Sequence, residues 1–221
     1  LLMELTLQQQ TIEAEDALAV QELFFQNEWT DGLPVVPPTK NKIEAMLNAV
    51  PMDPQTIIGA IPERGCVFTL EVAAINSVMA GCLPEYFPVV VTAVSAISDP
   101  AFGLHGPSAS THGPAILIIV NGPVTKSIGL NHGQNLFGPG VRANSTIGRA
   151  VRLILLNAGG TREFDRSTLG HGGKFSYCIA ENETTEWLPL HVQKGYDPQS
   201  SSVTVFAGEA PNQFQNHTSQ K

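Results

Sequence analysis

Charged side chains are scarce in this chain. Asp, Glu, Lys and Arg make up 14% of its 221 residues, against about a quarter in a typical soluble domain. The net charge is −8, and no basic run offsets it, so the surface repels nucleic-acid backbones and anionic membranes. We therefore expect neither as a partner. The missing charged surface also suggests a buried subunit interface, which predicts an oligomer.

Cysteines and long apolar runs are few as well. The chain has three cysteines, an odd number, and no two of them form a CxxC motif. This excludes a disulfide framework and favours reduced thiols in the cytoplasm. The longest uninterrupted apolar run, residues 115–120, is too short to span a bilayer. The first residues lack a basic segment followed by an apolar one, so we expect no secretion signal and a cytoplasmic location.

Helical and extended patterns alternate along the chain without a regular βαβ rhythm. Helices are predicted at 11–28 with Thr11 as cap, from Thr39 to residue 50, from residue 67 to 82, at 86–97 and at 146–157. Strands are predicted at 56–61, 115–120, 175–179 and 203–206, and the proline-rich segment 33–38 is expected to be extended. Residues 99–114 and 128–140 read as loops.

These patterns predict one domain over residues 1–221, with a flexible tail after residue 211. The expected fold class is α+β, or an irregular α/β arrangement, with residues 115–120 as a central strand because this run is short, branched and uncharged. The two apolar helices on either side of Pro84 predict a helical hairpin that packs on one face of a mixed sheet.

Residues 137–150 contain a glycine-rich loop followed by the start of the predicted helix 146–157. Free backbone N–H groups at a helix start favour an anion, and Arg142 offers a planar fork for a carboxylate or phosphate. We predict substrate binding by Arg142 with Asn144, Ser145 and Thr146, where Asn144 or Ser145 also caps the helix. The alternative is a tight turn whose arginines pair with surface carboxylates. Neither a Walker loop nor a dinucleotide fingerprint is present, and no cofactor is identified.

Two His-Gly-Pro tripeptides flank a hydroxyl-rich segment, HGPSASTHGP, just before the central strand. Histidine transfers protons near neutral pH, so His105 and His112 are candidate catalytic residues. The alternative is that both imidazoles only cap turns. No carboxylate lies between or beside them in the sequence, so no metal site is predicted.

Amide side chains are dense between the central strand and residue 144. Buried amides must be paired, so they either join the loops to one another or bind a polar ligand. On the second interpretation Asn121 and His132 join the predicted substrate-binding residues.

A cysteine lies on one of the late strands. Cys178 is either a small buried hydrophobic residue or a thiolate nucleophile near one of the histidines, and it completes the candidate catalytic set. Asp31, in a turn before the proline-rich segment, is expected to cap that turn, and the alternative is that it acts in a site.

Four segments together resemble a bacterial protein family. They are TDGLPVVPPT at 30–39, NSVMAGCLPEY at 76–86, IVNGP at 119–123 and RANSTIGRA at 142–150, and the resemblance covers roughly residues 30–206. The family is largely uncharacterised and is associated with small cysteine or selenocysteine proteins that carry a UGSC-type motif. The resemblance implies thiol-linked chemistry on a small molecule. This chain has no Cys-Gly-Ser-Cys, so a partner protein would supply such a centre.

The predicted function is a small-molecule enzyme, or the substrate-binding subunit of one, with lyase or reductive, thiol-linked chemistry on a small anionic substrate. The alternative is a non-catalytic structural subunit of a hetero-oligomeric complex. The first interpretation requires the loops on either side of the central strand to form one electropositive hollow that contains His105, His112 and Arg142.

Overall fold

The computed structural model describes residues 12–13, 15–183, 186–209 and 211–212. The predicted cap Thr11 and most of the predicted flexible tail lie outside these residues. Within them, helices surround two small sheets, which confirms the α+β fold class.

The strands divide between a hairpin and a three-stranded mixed sheet. β1 (Ile57–Ile61) and β2 (Cys66–Thr69) pair antiparallel. In the second sheet β3 (Ala115–Asn121) lies in the middle, parallel to β4 (Cys178–Ala180) and antiparallel to β5 (Ser202–Gly208). The central position predicted for the apolar run 115–120 is therefore confirmed.

The described helices range from 4 to 16 residues in length. They are α1 (Ala17–Gln26), α2 (Lys40–Leu47), α3 (Leu70–Ala80), α4 (Phe87–Ile97), α5 (His105–Ala109), α6 (Pro123–Ser127), α7 (Arg142–Asn157), α8 (Thr161–Phe164) and α9 (Leu190–Gln193).

The predicted helical hairpin is formed by α3 and α4, which are joined by a single turn of 3₁₀ helix at Pro84–Tyr86. α4 packs against β5 and α7, while α3 packs against α2 and α7. Nine of the eleven α3 residues are buried, as is Phe87 at the start of α4. Burial of this apolar surface is the main favourable contribution to folding, and it fixes α7 between the hairpin and the sheet.

Several boundaries differ from the predicted ones, and three of them change an element or its cap. α1 begins at Ala17, where the Asp16 side chain accepts a hydrogen bond from the Ala19 N–H at 2.8 Å. Residues 66–69 form β2 instead of the start of a helix, because they pair with β1 across Gly65, whose φ of +63° permits the turn. The predicted loop 99–114 contains the short helix α5.

The start of α7 is the correction that matters for the site. The helix begins at Arg142, and Val141 is in the cap position. Gly140, the residue before the cap, has a φ of +123°. Asn144 and Ser145 therefore lie inside the first turn and do not cap it. Arg142 occupies the first helical position.

Candidate functional site

Arg142 joins two helices. Its Nε and Nη2 atoms donate to the carbonyl oxygen of Gly81 at 2.9 and 2.8 Å, and that carbonyl lies at the C-terminal end of α3. The Thr146 hydroxyl donates to the Arg142 carbonyl at 2.8 Å. The planar fork predicted to bind an anion is thus bound to a backbone carbonyl, which is a structural contact.

The predicted amide set connects loops to the sheet. Asn144 is buried; its Nδ2 donates to the carbonyls of Cys178 at 3.1 Å and Asn131 at 3.2 Å, and its Oδ1 accepts from the Asn131 N–H at 2.8 Å. Both amide hydrogens are engaged, so the loop-joining alternative describes Asn144. His132 is exposed, and Ser145 is half-buried.

Asn121, another predicted substrate-binding residue, is fully buried at the end of β3. Its Nδ2 donates to Glu181 Oε2 at 2.5 Å and to Glu183 Oε1 at 2.9 Å. Backbone N–H groups of Gly122 and Leu190 donate to the same two oxygens at 2.7 and 2.8 Å. The cluster holds the segment after β4 against the end of β3. In the described ranges no three His, Cys, Asp or Glu side chains are arranged to hold a metal ion.

The two candidate catalytic histidines have different neighbours. His105 Nδ1 accepts from Arg64 Nε at 3.3 Å, whereas the exposed His112 has Nδ1 3.9 Å from Glu209 Oε1. Neither histidine lines either of the two cavities described below, and nor does Arg142. Neither of these two cavities is the single hollow expected around these three residues.

The cysteines are packing residues. Cys178 is 4% exposed in β4, opposite Ile118, and burial raises the pKa of its thiol far above the usual value. Burial also raises the pKa of Cys82 to about 12, and its thiol donates to the Thr146 carbonyl at 3.3 Å. Both thiols are protonated at neutral pH, so the nucleophilic role predicted for Cys178 has no support from its surroundings.

The larger cavity, here called the basic cavity, lies between α1, α7, α8 and the segment 165–174. Its volume is about 660 Å³. Three cationic side chains line it, namely Arg152 from α7, Arg162 from α8 and Lys174, together with the carboxylates of Asp165 and Glu28. A net positive lining is unusual in a protein of charge −8, and such a cavity attracts anions.

Asp165 holds two of the cations in place. Its Oδ2 lies 2.7 Å from Lys174 Nζ and 3.3 Å from Arg152 Nη2. Burial acts to raise the pKa of Asp165, but hydrogen bonds from Lys174 and Ser167 outweigh it and hold that pKa well below its usual range. The carboxylate is therefore ionised, and it orients the basic side chains.

The arginines retain unused binding capacity. Burial lowers the pKa of Arg152, and the nearby Arg162 acts in the same direction, while Asp165 raises it. Arginine nevertheless stays charged at neutral pH. Arg162 Nη2 donates to the Thr30 carbonyl at 2.7 Å, which is the one hydrogen bond found for its five donors among the described residues. The remaining donors are available to a ligand.

Thr161 provides a further polar group at this cavity. The residue is 0% exposed, and its Oγ1 has no hydrogen-bond partner within the described part of the chain. Buried hydroxyls are almost always paired. An unpaired buried hydroxyl in a residue that lines the cavity is therefore an unusual feature of this site.

The smaller cavity, of about 370 Å³, is aromatic. Phe137 and Tyr177 have ring centroids 5.3 Å apart, and His171 meets Tyr177 edge-on at 5.9 Å. His171 Nδ1 accepts from the Gly173 N–H at 3.0 Å, and Nε2 lies 3.3 Å from the Gly208 carbonyl oxygen. Three of the predicted site residues line this cavity, namely Asn144, Ser145 and Cys178. Its lining contains no lysine or arginine.

Sequence reasoning missed most of the basic cavity. It did not select Arg152, Thr161, Arg162, Asp165 or Lys174. One signal was available, because four of the six residues 161–166 are charged in a chain with few charges, directly after the glycine pair that ends α7.

Comparisons of the chain with protein-family models, with curated proteins and with solved structures gave no match. Of the helices in the described part of the chain, none has both the length and the apolar character needed to cross a membrane.

Proposed function

We propose that this protein binds a small carboxylate- or phosphate-bearing molecule in the basic cavity, as a small-molecule enzyme or as the substrate-binding subunit of one. The observation that carries the proposal is the convergence of three cationic residues, Arg152, Arg162 and Lys174, around one cavity.

The cations differ in what they contribute. Arginine forks bind carboxylate or phosphate oxygens in pairs, whereas Lys174 supplies a compact charge. Lys174 is 12% exposed and Arg152 is 20% exposed in their side chains, and charge–charge attraction is stronger in such partly desolvated surroundings than in water. Because Asp165 already holds both groups, little side-chain ordering remains for ligand binding to cost.

The reaction we propose remains lyase or reductive, thiol-linked chemistry. The cavity itself has hydroxyl, carboxylate and cationic side chains, with Ser167 Oγ in contact with Lys174 Nζ and 2.5 Å from Asp165 Oδ1. None of the three cysteines lines it. A thiol would therefore come from a partner protein, as the family resemblance implies, and this favours a substrate-binding subunit.

Two further proposals concern the assembly and the location of the protein. Assembly into an oligomer is supported by the scarcity of charge, and a cytoplasmic location is supported by three cysteines that are all free.

The second candidate function is a non-catalytic structural subunit of a hetero-oligomeric complex. It is favoured by the extended, partly exposed segment 33–38, and it predicts no affinity for small anions.

Calorimetric titration with inorganic phosphate at fixed ionic strength tests the proposal. Arg162→Gln should weaken phosphate binding about 10-fold or more, because a hydrogen bond to a charged group contributes about 1.5–3 kcal/mol. Lys174→Met should have a similar effect. Arg166→Gln is the matched control, since it removes the same charge from an exposed position nearby that does not line the cavity.

Equal phosphate affinity in wild type, Arg162→Gln and Lys174→Met would refute the proposed site. No measurable affinity for phosphate or for short carboxylates in the wild type would refute the function and favour the structural alternative. Circular dichroism of each variant establishes that it is folded before the comparison is made.

A further inference from the structure

The basic cavity has a second wall of different chemistry. Phe25 from α1, Leu156 from α7 and Leu169 from the segment 165–174 also line it. Leu169 is 95% exposed and Phe25 is 37% exposed. Single exposed apolar side chains are common on protein surfaces, but these three belong to one cavity that also contains the cations.

The cavity is too large for an inorganic anion alone. Its volume is about 660 Å³. It lies within the range of about 300–1,000 Å³ that is typical of sites for small organic ligands. An oxyanion at the cations would leave most of this volume, including the apolar wall, in contact with water.

The two kinds of wall are aligned along α7. Arg152 and Leu156 are four residues apart in this helix and both line the cavity, so they lie on the same helix face, about 6 Å apart along its axis. A ligand whose anionic group binds Arg152 can therefore extend along the helix towards Leu156 and Phe25.

The position of Leu169 is fixed by its neighbours. The Thr168 N–H and hydroxyl donate to the Thr111 carbonyl at 2.9 and 3.2 Å, and the Ser167 hydroxyl donates to the His112 carbonyl at 2.8 Å. The exposed leucine is thus held at the cavity by anchored backbone on its N-terminal side. An apolar ligand group that covers it would remove apolar surface from water, which is favourable.

From these observations we infer that the ligand is an amphipathic organic acid, with one carboxylate or phosphate head group and an apolar chain or ring. The head group binds Arg152, Arg162 and Lys174, and the apolar part packs on Phe25, Leu156 and Leu169. This inference rests on the proposed function, because it requires anion binding in the same cavity.

A chain-length series of unbranched carboxylates tests it by calorimetry, from acetate through butanoate and hexanoate to octanoate, with inorganic phosphate as the reference ligand. Affinity should rise by up to about fourfold per added methylene. Leu169→Ala should reduce octanoate affinity severalfold and leave phosphate affinity unchanged. Leu188→Ala is the matched control, because Leu188 is 64% exposed and does not line the cavity.

The outcomes separate this inference from the proposed function. If phosphate binds and all four carboxylates bind with the affinity of acetate, the amphipathic ligand is wrong and the anion site remains. An octanoate affinity that is unchanged in Arg162→Gln would show that octanoate adheres elsewhere and would overturn the inference. If neither phosphate nor any carboxylate binds, both are refuted.

Discussion

Asp31 and Arg149 form a buried ion pair between two sequence motifs. Arg149 Nε and Nη2 donate to the two carboxylate oxygens of Asp31, each at 2.8 Å, and Nη2 also donates to the Pro34 carbonyl at 2.8 Å. The Asp31 side chain is 4% exposed and that of Arg149 is 15% exposed. The pair fastens the extended segment 33–38 to the middle of α7, so Asp31 does more than cap a turn.

Asp31→Asn should destabilise the fold by about 3–5 kcal/mol, because it leaves the Arg149 guanidinium desolvated without its counter-ion. Urea unfolding followed by circular dichroism measures this change. Asp99→Asn is the control, since Asp99 is exposed and only accepts a hydrogen bond from the Ala101 N–H, which an asparagine oxygen also accepts. A loss below about 1 kcal/mol for Asp31→Asn would show that the pair contributes little.

The same pair should make stability depend on pH. Burial acts to raise the pKa of Asp31, but the hydrogen bonds and the charge of Arg149 outweigh it, and the pKa in the folded state is lowered. A lowered pKa contributes stability that is complete above the unfolded-state value of about 3.9 and declines as the pH falls through the folded-state value. The difference between wild type and Asp31→Asn in free energy of unfolding should therefore be constant from pH 7 to pH 5 and shrink below pH 4. A difference that stays constant down to pH 2 would contradict the assignment.

At the scale of elements, α7 organises the molecule. It packs on α3, α4 and β4, and Gly148 permits its closest approach. A Cβ built on Gly148 would lie 2.5 Å from both Ser176 Oγ and the Tyr177 backbone nitrogen. Because backbone cannot move aside cheaply, this glycine sets the distance between the helix and the chain that enters β4.

Gly148→Ala should cost about 1–3 kcal/mol through overpacking, despite the better helix propensity of alanine. Thermal unfolding followed by the circular dichroism signal of the helices measures this loss of stability. Gly106→Ala provides a matched control in α5, because a Cβ there meets no atom within 4 Å. A neutral or stabilising Gly148→Ala would show that the contact with residues 176–177 relaxes freely.

The sequence predicted the elements whose pattern is local. The run of branched apolar side chains predicts β3, and the apolar repeats predict α3 and α4, because such residues are buried in the core. The structure confirms all three elements. The predicted start of α7 was wrong. One of its two expected capping residues, Asn144, is instead bonded to Asn131 and Cys178, which are distant in sequence.

The basic cavity could not be predicted because no single segment contains it. Arg152 comes from α7, Arg162 from α8 and Lys174 from the segment before β4, and only the packed fold brings them together. The sequence did predict an electropositive hollow in an acidic protein, but it selected Arg142, whose guanidinium binds the Gly81 carbonyl.

At the scale of the whole molecule, the core protects two of the three thiols. Cys82 and Cys178 are buried with raised pKa values, whereas Cys66 is half-buried. In the folded protein at pH 7.5, DTNB should therefore modify at most Cys66 rapidly, because the thiolate is the reactive form. All three thiols should react after unfolding in guanidinium chloride. Rapid reaction of two thiols in the folded protein would contradict the packing roles of Cys82 and Cys178.

The central claim is that anions bind among Arg152, Arg162 and Lys174. The most direct measurement is the anomalous difference density of crystals soaked in selenate, since selenium identifies the oxyanion independently of the protein atoms. We predict a selenium peak in the basic cavity, with oxygens within hydrogen-bond distance of Arg162 and Lys174. A peak at the first turn of α7 beside Arg142, with none in the basic cavity, would contradict the account.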